Sequence, residues 1–101
     1  MPDTDTLNQL IEILSNEKSY LIEVFGVTDL AIFGSYARSD QTRDSDVDIF
    51  VELMKGYKTF DNFMDLKFYL EEILDKKVDL VIKGSIRQEL RPKILTEGVH
   101  V

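Results

Sequence analysis

The chain has no cysteine and no tryptophan, two prolines, five glycines and a single histidine in 101 residues. Without cysteine there is no disulfide framework, which fits the cytoplasm more readily than an oxidising compartment. No apolar run approaches the ~20 residues that a membrane-spanning helix needs. The opening residues, Met1-Pro2-Asp3-Thr4-Asp5, lack the basic and apolar regions of a signal peptide. The expectation is a cytoplasmic protein with no membrane partner. Basic side chains are also scarce, 12 against 19 acids, for a net charge of −7. That balance repels a phosphate backbone and argues against a nucleic-acid partner. It favours a basic protein or a metal-neutralised nucleotide. What remains, 44% apolar and 31% charged residues without repeats or low-complexity tracts, describes one globular domain spanning residues 1–101.

The apolar spacing from Thr6 to Phe25 is helical, with Thr6 as a candidate N-cap and Gly26 placed to end it. The polar run Asn16–Ser19 leaves one helix or two open. Asp29–Phe33 reads as a short buried strand closed by Gly34, and the start of Ser35–Ser45 as a short helix. Asp46–Leu53 is the clearest strand. Phe60–Asp75 is an amphipathic helix, and Val78–Ile82 a third strand. Ser85 is placed to cap a helix from Ile86, which Pro92 would restart or kink, and Gly98–Val101 to add an edge strand. The class is α/β (α+β): a small mixed sheet flanked by helices.

Topology decides which side chains meet. A helix joining the second and third strands makes them parallel. As neighbours, these strands bring Asp46, Asp48 and Asp79 to one end of the sheet. A first strand antiparallel to the second delivers Gly34-Ser35 to that same end. Residues i and i+2 of a strand face the same way, about 6.6 Å apart along it, so Asp46 and Asp48 can grip one cation. Oxygen donors without His or Cys select Mg²⁺ or Mn²⁺ over zinc. Asp-x-Asp alone is a weak motif, and Asp44 with Asp46 is an alternative pair, although Asp44 lies further into the loop. Gly34 lets a phosphate approach the backbone, and Ser35 opens a helix N-terminus. Taken alone, these two residues are better accounted for by a strand-to-helix turn with a serine cap.

Together these residues resemble a known signature. Gly34-Ser35, ten residues, then Asp46-x-Asp48, within LAIFGSYARSDQTRDSDVDIFVEL, and a third acid in Val78-Asp79-Leu80-Val81 are similar to the minimal nucleotidyltransferases (MNT) of the DNA polymerase β superfamily. Ser39 departs from the pattern, standing where glycine commonly follows the Ala-Arg pair. The resemblance implies a polymerase-β-like fold, ATP as substrate and Mg²⁺ held by Asp46 and Asp48. It implies that Gly34 and Ser35 bind the β- and γ-phosphates. Asp79 would take the proton of the attacking hydroxyl or help to hold its metal. Many such proteins are antitoxin partners of HEPN-domain toxins. The implied function is transfer of AMP to a toxin tyrosine within a hetero-oligomer. Alternatives are an antitoxin that only masks the toxin, and a small-molecule adenylyltransferase, which usually carries an added helical domain.

Other residues are less specific. Arg38 suits a phosphate or a salt bridge to a loop aspartate, and Tyr36 suits core packing better than a nucleotide contact. Arg43 suits solvent, and His100 an edge position. Lys76-Lys77 complements a helix C-terminus. Phe60, Phe63, Phe68 and Tyr69 exceed what one helix face buries, which leaves some for a partner surface.

Overall fold

A computed structural model describes residues 4–38, 41–42, 45–82 and 98–101. The elements are α1 (Thr4–Phe25), β1 (Val27–Phe33), α2 (Gly34–Arg38), β2 (Val47–Leu53), α3 (Phe60–Leu74), β3 (Val78–Ile82) and β4 (Val99–His100). The sheet order is β3-β2-β1-β4, with β2 and β3 parallel and the other pairs antiparallel. This is the expected mixed sheet, and the tail forms the expected edge strand. Ser85, Ile86 and Pro92, like Ser39, Arg43 and Asp44, lie outside the described residues.

The first helix is one unbroken element, and it begins at Thr4, so Thr6 is an interior residue and not its cap. The polar run Asn16–Ser19 does not interrupt it because Asn16, Lys18 and Ser19 face outward, while half-buried Glu17 accepts a hydrogen bond from the Tyr69 hydroxyl. Gly26, at φ 71°, ends the helix, and its amide donates to Ile22 O at 3.1 Å. Thr59 caps α3 by accepting from the Asn62 amide at 3.1 Å.

The strands alternate between two faces, apart from a register shift between Val27 and Asp29 of β1 that puts both Val27 and Leu30 in the main core. One face, carrying Leu30, Ile32, Val47, Ile49, Val51, Leu53, Val78 and Leu80, packs with Leu10, Leu14 and Leu21 of α1 and Leu66, Leu70 and Leu74 of α3 in the main core. Tyr36 belongs to this core at 4% exposure, so it packs as the sequence favoured. The other face buries Ala31 and Phe50 with half-buried Phe33 beside them. Asp48 and Asp79 alternate onto this second face, at the end of the sheet where β1 leaves and β2 and β3 enter.

Candidate active site

The register of the sheet builds the site. Asp48 of β2 stands opposite Asp79 of β3 on one side and opposite Phe33 of β1 on the other. Neighbouring strands lie about 4.8 Å apart, so the two carboxylates share one row of one face. Val47, between Asp46 and Asp48, is fully buried and turns both aspartates away from the core. Asp46 lies just before β2 and is exposed; Asp79 is exposed, and Asp48 half-buried.

Gly34 follows Phe33 directly, opening α2 at φ 72°. A Cβ at Gly34 would collide with Asp48 Oδ2 and approach its Cγ to 3.0 Å. The missing side chain therefore makes room for a carboxylate as well as for any phosphate, a requirement the sequence did not reveal. Ser35 is half-buried in the first turn of α2, and Arg38 is exposed at its end.

The electrostatics follow from this crowding. The Asp48 carboxyl is pushed up to about 6, first by partial burial, then by the charge of Asp79 and hydrogen bonding with it, then by Asp46; the Arg38 guanidinium pulls the other way. Asp79 and Asp46 thus both disfavour a charge on Asp48, and Arg38 offsets part of that effect. Among the described residues no group of three or more acids, histidines or cysteines is placed to hold a metal ion. The Asp48–Asp79 pair is a set of hard oxygen donors with mutual repulsion, which a divalent cation would relieve, and this donor chemistry suits Mg²⁺ or Mn²⁺ better than zinc.

Two further residues hold the row in place. Glu71 of α3 accepts the Val78 amide at 3.0 Å and the Lys67 ammonium at 3.2 Å, which fixes the entry of β3 one residue before Asp79. The Val47 amide donates to Lys77 O at 2.9 Å, joining the entries of β2 and β3. Neither contact has a local sequence signal, because each connects elements through the fold.

A nucleotidyltransferase domain model matches residues 7–101. The chain belongs to the nucleotidyltransferase family. It is 40% identical over 96 residues to the protein adenylyltransferase MntA of Thermococcus cleftensis, covering 95% of this chain and 96% of that one. A solved minimal nucleotidyltransferase superposes with a TM-score of 0.75 at 29% identity, covering 98% and 95% of the two chains. A toxin–antitoxin crystal structure with AMP-PNP superposes at 0.67 and 28% identity, covering 93% of this chain and 70% of that one. This nucleotidyltransferase thus shares the mixed-sheet fold of the minimal members. No helix among its described residues is long and apolar enough to cross a membrane.

Proposed function

We propose that this nucleotidyltransferase is the antitoxin of a HEPN toxin and transfers AMP from ATP to a tyrosine hydroxyl of that toxin. The observation that carries the reading is the Asp48–Asp79 register pair beside Gly34. On this reading Asp48 is a metal-binding carboxylate, Asp79 a candidate base and the Gly34 turn the phosphate contact, all at one sheet end. A relative named protein adenylyltransferase and a structural neighbour named as a toxin–antitoxin complex with AMP-PNP support the substrate and partner classes. The net charge of −7 suits a basic protein partner in a hetero-oligomer. The same reading puts the protein in the cytoplasm, where ATP is available.

Asp46 and Asp48, with Asp79 at the same row, would hold Mg²⁺, which when bound neutralises phosphate charge. Gly34 and Ser35 receive the β- and γ-phosphates at the α2 entrance, and Arg38 adds a positive charge. The tyrosine hydroxyl oxygen attacks the α-phosphorus, so that an O–P bond forms as the bond to the β-phosphate oxygen breaks. Pyrophosphate leaves with that electron pair, and Asp79 takes the phenolic proton. A phenol of pKa about 10 needs such an acceptor to attack at neutral pH. Alignment and charge compensation supply most of the rate.

The test is intact-mass measurement of the toxin after incubation with the protein, ATP and Mg²⁺. One adenylyl group per modified tyrosine, lost with Asp48→Asn, is the expected result. Full neutralisation by Asp48→Asn without a mass change would instead make the protein a binding mask.

A further inference from the structure

Helix α3 carries two apolar stripes, and the core uses one of them. Leu66, Leu70 and Leu74 are buried in the main core. A second stripe, Phe60, Met64 and Phe68, repeats at i, i+4 and i+8, so its side chains are neighbours along one line of the helix. Phe60 is 75% exposed and Phe68 55%, with half-buried Met64 between them. Single exposed apolar residues are ordinary, but two rings on one line of one helix, with a methionine between, form a patch. The patch continues off the helix. A cavity of about 460 Å³ lies between Phe60 and Phe63 of α3 and Leu80, Val81 and Ile82 of β3, with Lys58 also lining it. Among the described residues β3 is an edge of the sheet, and Val81 stands two positions after Asp79. The apolar surface therefore runs from the middle of α3 to the strand that carries Asp79.

Its flank is acidic. Asp61, Asp65 and Glu72 are exposed. Asp61 stands three positions from Met64, Asp65 three from Phe68 and Glu72 four from Phe68, all spacings that make helical neighbours. Lys67 is the one base of α3, and its ammonium is shared with Glu71 at 3.2 Å. An apolar centre with a polar margin is the anatomy of a protein interface. The sign of the margin selects the occupant. A second copy of this chain, joined through the same stripe about a two-fold axis, would set these three acids against their own counterparts. A partner whose matching patch is ringed by Lys and Arg meets complementary charge instead.

We propose that Phe60, Met64 and Phe68, with the cavity beside Phe60, form the surface on which the toxin docks, through an apolar patch ringed by basic side chains. The inference rests on the proposed antitoxin function and adds to it the face that meets the partner. A toxin held there borders β3, the strand of Asp79.

The experiment is titration calorimetry of the full chain with the toxin at two salt concentrations, beside light scattering of the chain alone. Phe60→Ser with Phe68→Ser is expected to weaken toxin binding by roughly a hundredfold, because buried aromatic anchors dominate interface energetics. Both rings are exposed, so this variant should melt as the parent does. Asp65→Lys with Glu72→Lys should weaken binding by roughly tenfold at low salt and flatten its salt dependence. Ile22→Ser removes an exposed apolar side chain from α1 and should bind the toxin as the parent does. Parent-like affinity in either the serine or the lysine variant overturns the proposal, and so does an equal loss in Ile22→Ser. If the serine variant fails to fold, the lysine variant decides alone. A parent chain that is dimeric by itself and monomeric in the serine variant also overturns it, because a second copy then covers the stripe. A parent chain that does not bind the toxin refutes the antitoxin function and this surface together. Parent binding that survives the substitutions refutes the surface alone.

Discussion

Gly34 and Asp48 share one space: the volume a Cβ would take at Gly34 is filled by the Asp48 carboxylate. The glycine is also required by its backbone, since φ 72° costs an ordinary residue about 1–2 kcal/mol. Gly34→Ala should therefore lower the melting temperature, abolish Mg²⁺-dependent nucleotide binding and displace Asp48. The two causes separate in a double-mutant cycle. In an Asp48→Ala background the collision is gone and only the backbone cost remains, so Gly34→Ala should destabilise less than it does alone. Strict additivity of the two melting shifts would show that the shared space has no energetic weight.

The raised Asp48 pKa gives a pH signature with a definite sign. The folded state keeps the proton up to about 6, whereas the unfolded chain releases it at the ordinary aspartate value. The stability this brings is present below the ordinary value and is lost as pH rises through about 6. In metal-free buffer, Asp48→Asn should raise the melting temperature more at pH 7.5 than at pH 4. Glu71 has the opposite sign, because the Val78 amide and then Lys67 hold its carboxyl below the usual glutamate range. Its contribution is present above the ordinary glutamate value and fades on acidification, so Glu71→Gln should matter most near neutrality. Equal melting shifts at both pH values would remove these assignments. Mg²⁺-ATP affinity of the parent protein should weaken below about pH 6, as Asp48 takes up its proton.

Asn62 ties three segments together. Its side-chain amide donates to Phe25 O at 3.0 Å and to Tyr57 O at 2.9 Å, joining the end of α1, the turn after β2 and the start of α3. Asn62→Leu leaves two half-buried carbonyls unpaired, a cost of about 1–3 kcal/mol and a fall of several degrees in melting temperature. Asn62→Asp should be worse at neutral pH, since it sets a carboxylate against two carbonyl oxygens. Chemical or thermal melts check the order; a milder effect from aspartate would mean that water replaces the two bonds.

These contacts mark where sequence reasoning stops. The three longer strands were legible because β-branched runs such as Val47-Asp48-Ile49-Phe50-Val51 alternate between two buried faces. The meeting of Asp48 and Asp79 was legible because a helix between two strands forces them parallel. Asn62 reaching Phe25 across 37 positions was not, and neither was Glu71 holding the Val78 amide. An asparagine or glutamate on a helix looks the same whether it faces solvent or a carbonyl from elsewhere. Gly34 was noticed, but for the space a phosphate needs, not for the space Asp48 occupies. Of the surplus aromatics, Phe63 and Tyr69 are half-buried against the core, while Phe60 and Phe68 remain exposed. The helical spacing could not divide these four between core and surface, because that depends on where α1 lies against α3.

Asp79 separates an enzyme from a mask. It is exposed on β3 opposite Asp48, and both its charge and its hydrogen bonding push the Asp48 carboxyl upward. A strand reading Val-Asp-Leu-Val-Ile has no structural need for a charge at its second position, because that position faces away from the main core. Asp79→Asn removes one of two repelling carboxylates and keeps the side-chain volume. The melting temperature in metal-free buffer near neutral pH is therefore expected to hold or to rise. Transfer to the toxin tyrosine should fall sharply, because the amide cannot take up the phenolic proton. Mg²⁺-ATP affinity should fall less than turnover, since Asp46, Asp48, Gly34 and Ser35 remain. Melting curves with and without Mg²⁺-ATP, read beside single-turnover transfer, test all three parts. If Asp79→Asn unfolds the chain while activity per folded molecule stays at the parent level, Asp79 is structural and the three-carboxylate site is refuted.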